Sequence, residues 1–308
     1  MHALLDRLAP YLWPLAIANL VANIGIVLTG GAVRLTGSGL GCPTWPKCDA
    51  NSLTTHGELG LHGAIEFGNR LLTFAVAAVA VLCFLAALGA RHRRATRLSF
   101  GVGLYIPVQA VIGGLLVLTD LNPWIAALHF LSSMVIIMIC IALVDELRSP
   151  ERGAAPPLPR ALAWATLAVG WVVLYLGTVV TGAGPHAGDE DARRNGLDPA
   201  TVSSLHAYTV YVLVAVTVAL LVVALRGEHR WLARVTALVL LIEVLQGVLG
   251  WVQYWLDLPV GLVALHMLGA SLLAAGLARV ALAVLPHRAS HEARADGQEQ
   301  ARAATRLP

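Results

Sequence analysis

The chain has 308 residues, of which 57% are hydrophobic and only 13% are charged, with a formal net charge of +3. A soluble domain of this size needs far more charged surface, so the composition excludes a soluble globular protein and predicts an integral membrane protein. The basic residues are scattered over short segments, which argues against a nucleic-acid-binding surface.

Apolar runs recur along the whole chain, and each is long enough to cross a bilayer as a helix of about 20 residues. We place eight of them at 13–33, 65–90, 98–119, 124–145, 161–182, 204–225, 233–255 and 261–285. The first run follows the short segment MHALLDRLAP, which has no small-residue cleavage site. It is therefore predicted to be a retained helix and not a cleaved signal.

Arginine residues concentrate in alternate connecting segments. If the N-terminus is cytoplasmic, the inner segments hold most of them, and the outer segments hold only Arg34, Lys47, Arg70, Arg193 and Arg194. This positive-inside pattern predicts a multi-pass protein of a bacterial plasma membrane with both termini in the cytoplasm. The polar segment 287–308 is predicted to be a disordered cytoplasmic tail.

The four cysteines divide by location. Cys42 and Cys48 lie in the first outer loop, within GCPTWPKC, where they face an oxidising compartment and can close a disulfide. A structural disulfide that fixes the loop is the favoured interpretation, and a redox-active cysteine pair is the alternative. Cys83 and Cys140 lie within predicted helices and are interpreted as small apolar core residues.

An internal repeat follows from comparing the sequence with itself at an offset of 137 positions. In this frame Gln109 matches Gln246, Asp120 matches Asp257, and Ala127-Leu128-His129 matches Ala264-Leu265-His266. The first helix of each half matches more loosely, through TGSG at 36–39 and TGAG at 181–184. Helices one to four and five to eight are thus predicted to be repeats.

The repeat predicts the fold class. We expect an all-α integral membrane protein whose eight transmembrane helices form two pseudo-symmetric four-helix bundles. Each repeat has an even number of spans, so both halves enter the membrane in the same direction, a 4+4 parallel repeat. The halves are 1–150 and 151–286, and cofactor sites are expected inside the bundles between facing helices.

The histidines indicate where the chemistry lies. His206 and His266 lie near the outer ends of helices six and eight, at similar depth in one bundle. Imidazoles at membrane depth are costly unless they are paired or ligated, and two at one depth suit axial ligation of a heme iron. A hydrogen-bonded pair of histidines is the alternative. Zinc is disfavoured because no cysteine or carboxylate clusters with them, and no C-x-x-C-H motif for covalent heme attachment occurs.

The first half breaks the symmetry. It offers His129, but Asn69 stands where His206 stands in the second half. His62, Glu66 and Asn69 follow an i, i+4, i+7 spacing and share one helical face. Glu66 is either a solvated residue at the membrane boundary or, if it faces the bundle interior, an acid, base or electrostatic stabiliser. This asymmetry predicts catalysis in the first half and a resident cofactor in the second.

Arg70 could pair with heme propionates or simply extend its charge to the membrane surface.

Several segments together resemble the heme A synthase family. They are GGAVRLTGSGLGCPTWPKC, AIEFGNR, VQAVIGGLLVLTDL, LGTVVTGAGPHAGD, SLHAYT and the two ALH segments, and they cover roughly residues 13 to 285. The resemblance implies an eight-helix 4+4 fold and oxidation of a methyl group of heme O to the formyl group of heme A, used by cytochrome oxidase, with oxygen derived from water. It also implies heme b as the resident cofactor, and heme O synthase and an electron acceptor as partners.

Site residues follow from the resemblance only where residues match. His206 and His266 match the axial ligands of heme b, His129 matches a histidine of the substrate-heme half, and Glu66 matches a glutamate important for catalysis. Cys42 and Cys48 match an outer-loop cysteine pair. The chain departs from the family at Asn69, where many members have histidine before the position of Arg70. His62 is a candidate replacement ligand in the substrate site.

Two other functions remain open at this stage. A non-catalytic diheme b-type electron carrier would hold two bis-histidine hemes, and Asn69 argues against it. A heme transporter or chaperone would need a heme site but no carboxylate chemistry.

Overall fold

The computed structural model describes residues 2–287, and within them eight helices are long and apolar enough to cross a membrane. The predicted tail at 288–308 lies outside the described residues. A short helix α1, His2–Leu8, precedes the membrane helices. These are α2 (Leu12–Leu35), α3 (Gly60–Gly89), α4 (Arg93–Leu118), α5 (Pro123–Arg148), α6 (Pro157–Ala183), α7 (Pro199–Arg226), α8 (Arg230–Trp255) and α9 (Val260–Ala283). The all-α membrane fold is confirmed.

Three helices begin five residues earlier than their hydropathy predicts. Helix α3 begins at Gly60, α4 at Arg93 and α7 at Pro199. In α7 the reason is local: Asp198 caps the helix by accepting a hydrogen bond of 2.8 Å from the backbone N–H of Thr201, and Pro199 occupies the first helical position. Hydropathy locates the apolar part of a helix, whereas the cap sets where the helix begins.

Each half closes into a ring of four helices. In the first half α2 packs on α3, α3 on α4, α4 on α5, and α5 packs back on α2. In the second half α6, α7, α8 and α9 repeat this order, with α9 packing back on α6. Helices α3 and α5 are therefore diagonal to each other in one bundle, and α7 and α9 are diagonal in the other.

The two bundles meet through pairs of helices that exchange under a two-fold rotation. Helix α5 packs on its repeat partner α9, while α2 packs on α9 and α6 packs on α5. Exchanging the halves turns the α2–α9 contact into the α6–α5 contact. The predicted 4+4 parallel repeat is thus confirmed in the packing of the helices.

The backbone carries the same repeat. Non-glycine residues rarely adopt a positive φ, yet the structure has three pairs of them at the 137-residue offset. Arg91 and Glu228 have φ of 53° and 55°, Asp120 and Asp257 have 52° and 56°, and Leu121 and Leu258 have 57° and 59°. The turns after α3 and α7, and those after α4 and α8, are therefore built alike.

Buried charges join the halves where α5 and α9 end. The Asp145 carboxylate in α5 accepts hydrogen bonds from Arg152, at 2.8 Å, and from Arg279 in α9. Arg152 also donates to the carbonyl of Leu282 at 2.8 Å, and its backbone pairs with that of His287. Asp145 is only 4% exposed. This network fixes the segment after α5 to the end of α9.

Candidate functional site

His206 and His266 project from diagonal helices of the second bundle. His206 lies near the N-terminal end of α7 and His266 near the N-terminal end of α9, and the two rings are close enough to interact electrostatically. Each Nδ1 is buried and makes no hydrogen bond of normal geometry within residues 2–287, although the Val173 carbonyl lies near the His206 ring. Both side chains are only partly buried. Buried imidazoles without partners are costly, which points to a ligand between them.

Glycines on the other diagonal lie beside these two imidazoles. A Cβ at Gly177 in α6 would lie 3.4 Å from Cε1 of His206, and a Cβ at Gly250 in α8 would lie 3.5 Å from Cε1 of His266. The bundle therefore has imidazoles on one diagonal and bare backbone on the other. This arrangement fits a flat macrocycle held by two axial imidazoles.

The first bundle repeats this arrangement with one change. His129 in α5 has a buried Nδ1 without a partner in the described part of the chain, and a Cβ at Gly113 in α4 would lie 3.3 Å from its Cε1. On the opposite helix α3 the corresponding residue is Asn69, and a Cβ at Gly30 in α2 would lie 3.7 Å from its Nδ2. The glycines beside the two ligand positions are retained, but one imidazole is replaced by an amide.

Asn69 has a partner of its own. The Thr29 hydroxyl in α2 donates a hydrogen bond of 2.8 Å to the Asn69 Oδ1. This contact anchors the amide to the neighbouring helix. The first bundle thus presents one partnerless imidazole, His129, opposite a tethered amide.

Glu66 lies one turn before Asn69 in α3 and is 6% exposed. Its Oε2 accepts a hydrogen bond of 2.6 Å from the backbone N–H of Cys42, and its Oε1 accepts bonds of 2.5 Å and 3.1 Å from Nη2 and Nε of Arg70. Both carboxyl oxygens are therefore engaged. The structure places Glu66 inside the protein and not at a solvated boundary.

The loop between α2 and α3 covers this end of the bundle. Cys42 and Cys48 form a disulfide, as predicted. Arg70 donates to the carbonyls of Cys42, at 3.0 Å, and Lys47, at 3.1 Å, which holds the loop against α3. Trp45 packs so closely on α4 that a Cβ at Gly114 would lie 2.4 Å from its ring. Arg70 thus contacts Glu66 and the loop.

His62 lies further out than Glu66 on the same helix. Its side chain is exposed, and its Nδ1 lies 2.9 Å from the hydroxyl of Ser38, in the turn after α2. The shared helical face predicted for His62, Glu66 and Asn69 therefore runs from the surface into the interior. His62 as an iron ligand stays a prediction.

Three contacts of the site were missed by sequence reasoning. Arg70 donates to Glu66 four residues earlier, an i, i+4 spacing that indicates such a pair. The Thr29–Asn69 bond and the Cys42–Glu66 bond join different elements, and no local pattern signals them. Among residues 2–287 no group of three or more His, Cys, Asp and Glu is placed to hold a bare metal ion.

Comparison with known proteins gives one family and several relatives. The family model described as COX15-CtaA, cytochrome oxidase assembly protein, matches residues 14–59 and 61–189. Proteins named heme A synthase are similar: that of Lysinibacillus sphaericus is 31% identical over 55% of this chain and 58% of its own length. That of Symbiobacterium thermophilum is 28% identical over 54% of this chain and 57% of its own. These alignments thus span little more than half of each relative. That of Bradyrhizobium sp. is 27% identical over 85% of this chain and 87% of its own length.

Proposed function

This chain belongs to the COX15-CtaA family of cytochrome oxidase assembly proteins, and on that premise we propose that it is a heme A synthase. In this proposal it oxidises a methyl group of heme O to the formyl group of heme A within the membrane. Its relatives named heme A synthase support this proposal. The first half, residues 1–150, is the substrate half, and the second half, residues 151–286, is the cofactor half.

One observation carries the proposal. Two bundles of the same construction each place a ligand pair on one diagonal and glycines on the other, and only one bundle has two imidazoles. A pure electron carrier has no need for this difference. A protein that keeps one heme and must release another needs this difference, because a heme iron with two imidazole ligands is held more firmly than one with a single imidazole.

In the cofactor half, His206 and His266 are the residues that would hold heme b. Gly177 and Gly250 place bare backbone beside the two imidazoles. Heme b bound there would supply reversible one-electron transfer. The protein's contribution is to fix the two imidazoles at one depth on diagonal helices and to exclude water around them.

In the substrate half, His129 orients the heme O iron, and Asn69, tethered by Thr29, leaves the opposite face weakly held. Heme O enters from the bilayer, with its hydrocarbon tail remaining in lipid. Weak ligation on one face allows the product to leave.

Glu66 stabilises positive charge and accepts protons in this half. Oxidation of a methyl group to an aldehyde with water releases four electrons and four protons, and positive charge develops at the reacting carbon. A buried carboxylate stabilises this charge and accepts protons at its oxygens. Arg70 and the Cys42 backbone N–H hold those oxygens in place, so they act as positioning groups.

Membrane orientation and partners are also part of the proposal. The arginine distribution supports a bacterial plasma membrane protein with both termini in the cytoplasm, so that Glu66 and the disulfide lie at the outer face. Heme O synthase as the supplier of substrate and an unidentified electron acceptor are the expected partners.

Heme extraction from membranes tests the function. Membranes of a host that makes heme O but no heme A should contain heme A after expression of this chain. His129→Ala should abolish heme A and retain heme b, whereas His266→Ala should remove heme b. Heme O that stays unconverted while heme b is bound would contradict the synthase and favour the diheme carrier or the transporter.

A further inference from the structure

A buried carboxyl group in the second bundle has no role in the reaction described above. Glu243 lies in the middle of α8 and is only 2% exposed. Its Oε1 accepts a hydrogen bond of 2.9 Å from the hydroxyl of Thr217 in α7. Its Oε2 is buried and has no hydrogen-bond partner within residues 2–287. A carboxyl group at membrane depth is costly and indicates function.

The Thr217–Glu243 pair is absent from the other half. At the 137-residue offset the two positions are Ala80 in α3 and Ile106 in α4, and both are buried hydrocarbon side chains with 0% and 7% exposure. Packing of this bundle type therefore does not require a polar pair at this depth. The pair is confined to the bundle with two imidazoles.

The carboxyl group lies on the side of α8 that faces this site. Glu243 precedes Gly250 by seven residues, two helical turns, which places it on the same face about 10 Å further along the axis. Gly250 is the glycine that packs against His266. Gly247 lies between them, has open space at its Cβ position, and lines a cavity of about 400 Å³ together with Glu243.

An axial spacing of this size between Glu243 and the glycine beside His266 allows electrostatic coupling between the carboxyl group and a heme held by that histidine. A bis-imidazole heme gains one positive charge when its iron is oxidised from ferrous to ferric. Across about 10 Å with an effective dielectric constant near 20, one unit charge changes the proton affinity of a carboxyl group on the order of tenfold. The ferrous state favours the carboxylic acid and the ferric state favours the carboxylate.

We propose that Glu243 binds a proton when heme b is reduced and releases it when heme b is oxidised. The inference rests on the proposed function, which assigns heme b to this bundle. One electron released by the oxidation of heme O would convert ferric to ferrous iron, and one proton from the aqueous phase would convert the Glu243 carboxylate to the acid. Transfer of the electron to the electron acceptor would reverse both steps. Thr217 donates to Oε1 in both states, which leaves Oε2 to bind the proton.

Few other titratable groups lie on the helices packed against α8. Those on α7 are His206, Tyr208, Tyr211 and Arg226, and those on α9 are His266 and Arg279. Of these, Tyr211 lines the same cavity as Glu243, and the two histidines are the proposed ligands. Arg226 and Arg279 lie near the inner ends of their helices, and Arg279 pairs with Asp145. Glu243 is therefore the carboxyl group positioned to respond to the heme.

Potentiometric titration of the purified, heme-loaded chain at a series of pH values tests the proposal. The midpoint potential of the bis-imidazole heme should fall with rising pH by a total on the order of 59 mV, the one-electron equivalent of a tenfold change in proton affinity. Glu243→Gln should bind the same heme with this dependence lost. Glu146→Gln, the same change at the inner end of α5, should retain it.

Three outcomes would overturn the proposal. A potential independent of pH in a chain with normal bis-imidazole absorption would refute it and leave the proposed function intact. If the midpoint potential of Glu243→Gln still fell with rising pH as in wild type, the proton would belong to another group, such as a heme propionate. A chain that binds no heme b would overturn the inference and the cofactor assignment together.

Infrared difference spectroscopy tests the same step without relying on Glu243→Gln to fold. Reduction of the wild-type chain should produce a carboxylic acid carbonyl band. In Thr217→Val this band should shift, because the carboxyl group loses its hydrogen bond. A reduced-minus-oxidised spectrum without any carboxylic acid band would refute the proposal.

Discussion

The hydroxyl of Thr29 donates a hydrogen bond of 2.8 Å to the side-chain carbonyl of Asn69. Asn69 occupies in the first bundle the position that His206 occupies in the second. The bond shows how the protein uses the symmetry of its repeat: the amide is tethered to a neighbouring helix where an imidazole would bind iron. At the second ligand position the two bundles thus differ by one side chain, Asn69 in place of His206.

An imidazole at position 69 should give the first bundle two heme ligands, as in the second bundle. We expect Asn69→His to raise the bis-imidazole heme content of the purified chain about twofold, because His129 would gain an axial partner beside the existing glycines. Heme quantified per protein, with the bis-imidazole absorption spectrum, measures this. Thr29→Val is the matched control: it removes the hydrogen bond without adding a ligand and should leave one such heme. Unchanged heme content in Asn69→His would contradict the site geometry.

The disulfide should matter for catalysis through Glu66. The double variant Cys42→Ser and Cys48→Ser frees the loop whose Cys42 N–H bonds the Glu66 carboxylate. We expect heme A formation to fall about tenfold or more, as when a held catalytic group loses its position, while heme b stays bound. Heme analysis of membranes provides both readings. Full heme A production would show that the loop does not position Glu66.

The network around Asp145 should stabilise the contact between the halves. Asp145→Asn leaves Arg152 and Arg279, 11% and 22% exposed, without a carboxylate partner. Breaking a buried pair costs about 3–5 kcal/mol, so the thermal midpoint in detergent should fall clearly. The neighbouring Glu146→Gln is the control: its partners are His92, at 3.9 Å, and Arg94, which is 62% exposed, and pairs with a solvent-exposed partner contribute about 0–1 kcal/mol. Equal midpoints for the two variants would contradict the account.

Acid should loosen the start of the helix that carries His206. The Thr201 hydroxyl and then the Thr201 amide hold the pKa of Asp198 below its ordinary value. The stabilising effect of this cap is present above that ordinary value and is lost as pH falls through the lowered pKa. Asp198→Asn keeps a cap that does not titrate, so heme b should be retained to lower pH than in wild type. If wild type and Asp198→Asn lost heme b at the same pH, this role of Asp198 would be refuted.

Much of the fold could be read from the sequence because the repeat retained its polar residues. The 137-residue offset that matches Asp120 with Asp257 also matches their positive φ angles. Hydropathy was less accurate at helix ends. The polar first turns of α3 and α7 extend beyond the apolar spans, and in α7 the cap residue Asp198 marks the true beginning.

The candidate site was only partly predictable. His129, His206 and His266 could be found because an imidazole at membrane depth is conspicuous in one helix. The partners of Glu66 and Asn69 could not, because Cys42 and Thr29 come from other elements. Such contacts depend on the rotation of each helix about its axis, and the first helices of the two halves match too loosely to reveal it.

The most direct test of the central claim is the heme composition of membranes that contain Glu66→Gln and a source of heme O, with the exposed outer-loop variant Glu190→Gln as control. We expect both variants to bind heme b, Glu190→Gln to make heme A as wild type does, and Glu66→Gln to accumulate heme O. Full heme A production by Glu66→Gln would contradict the assignment of the first bundle as the catalytic half.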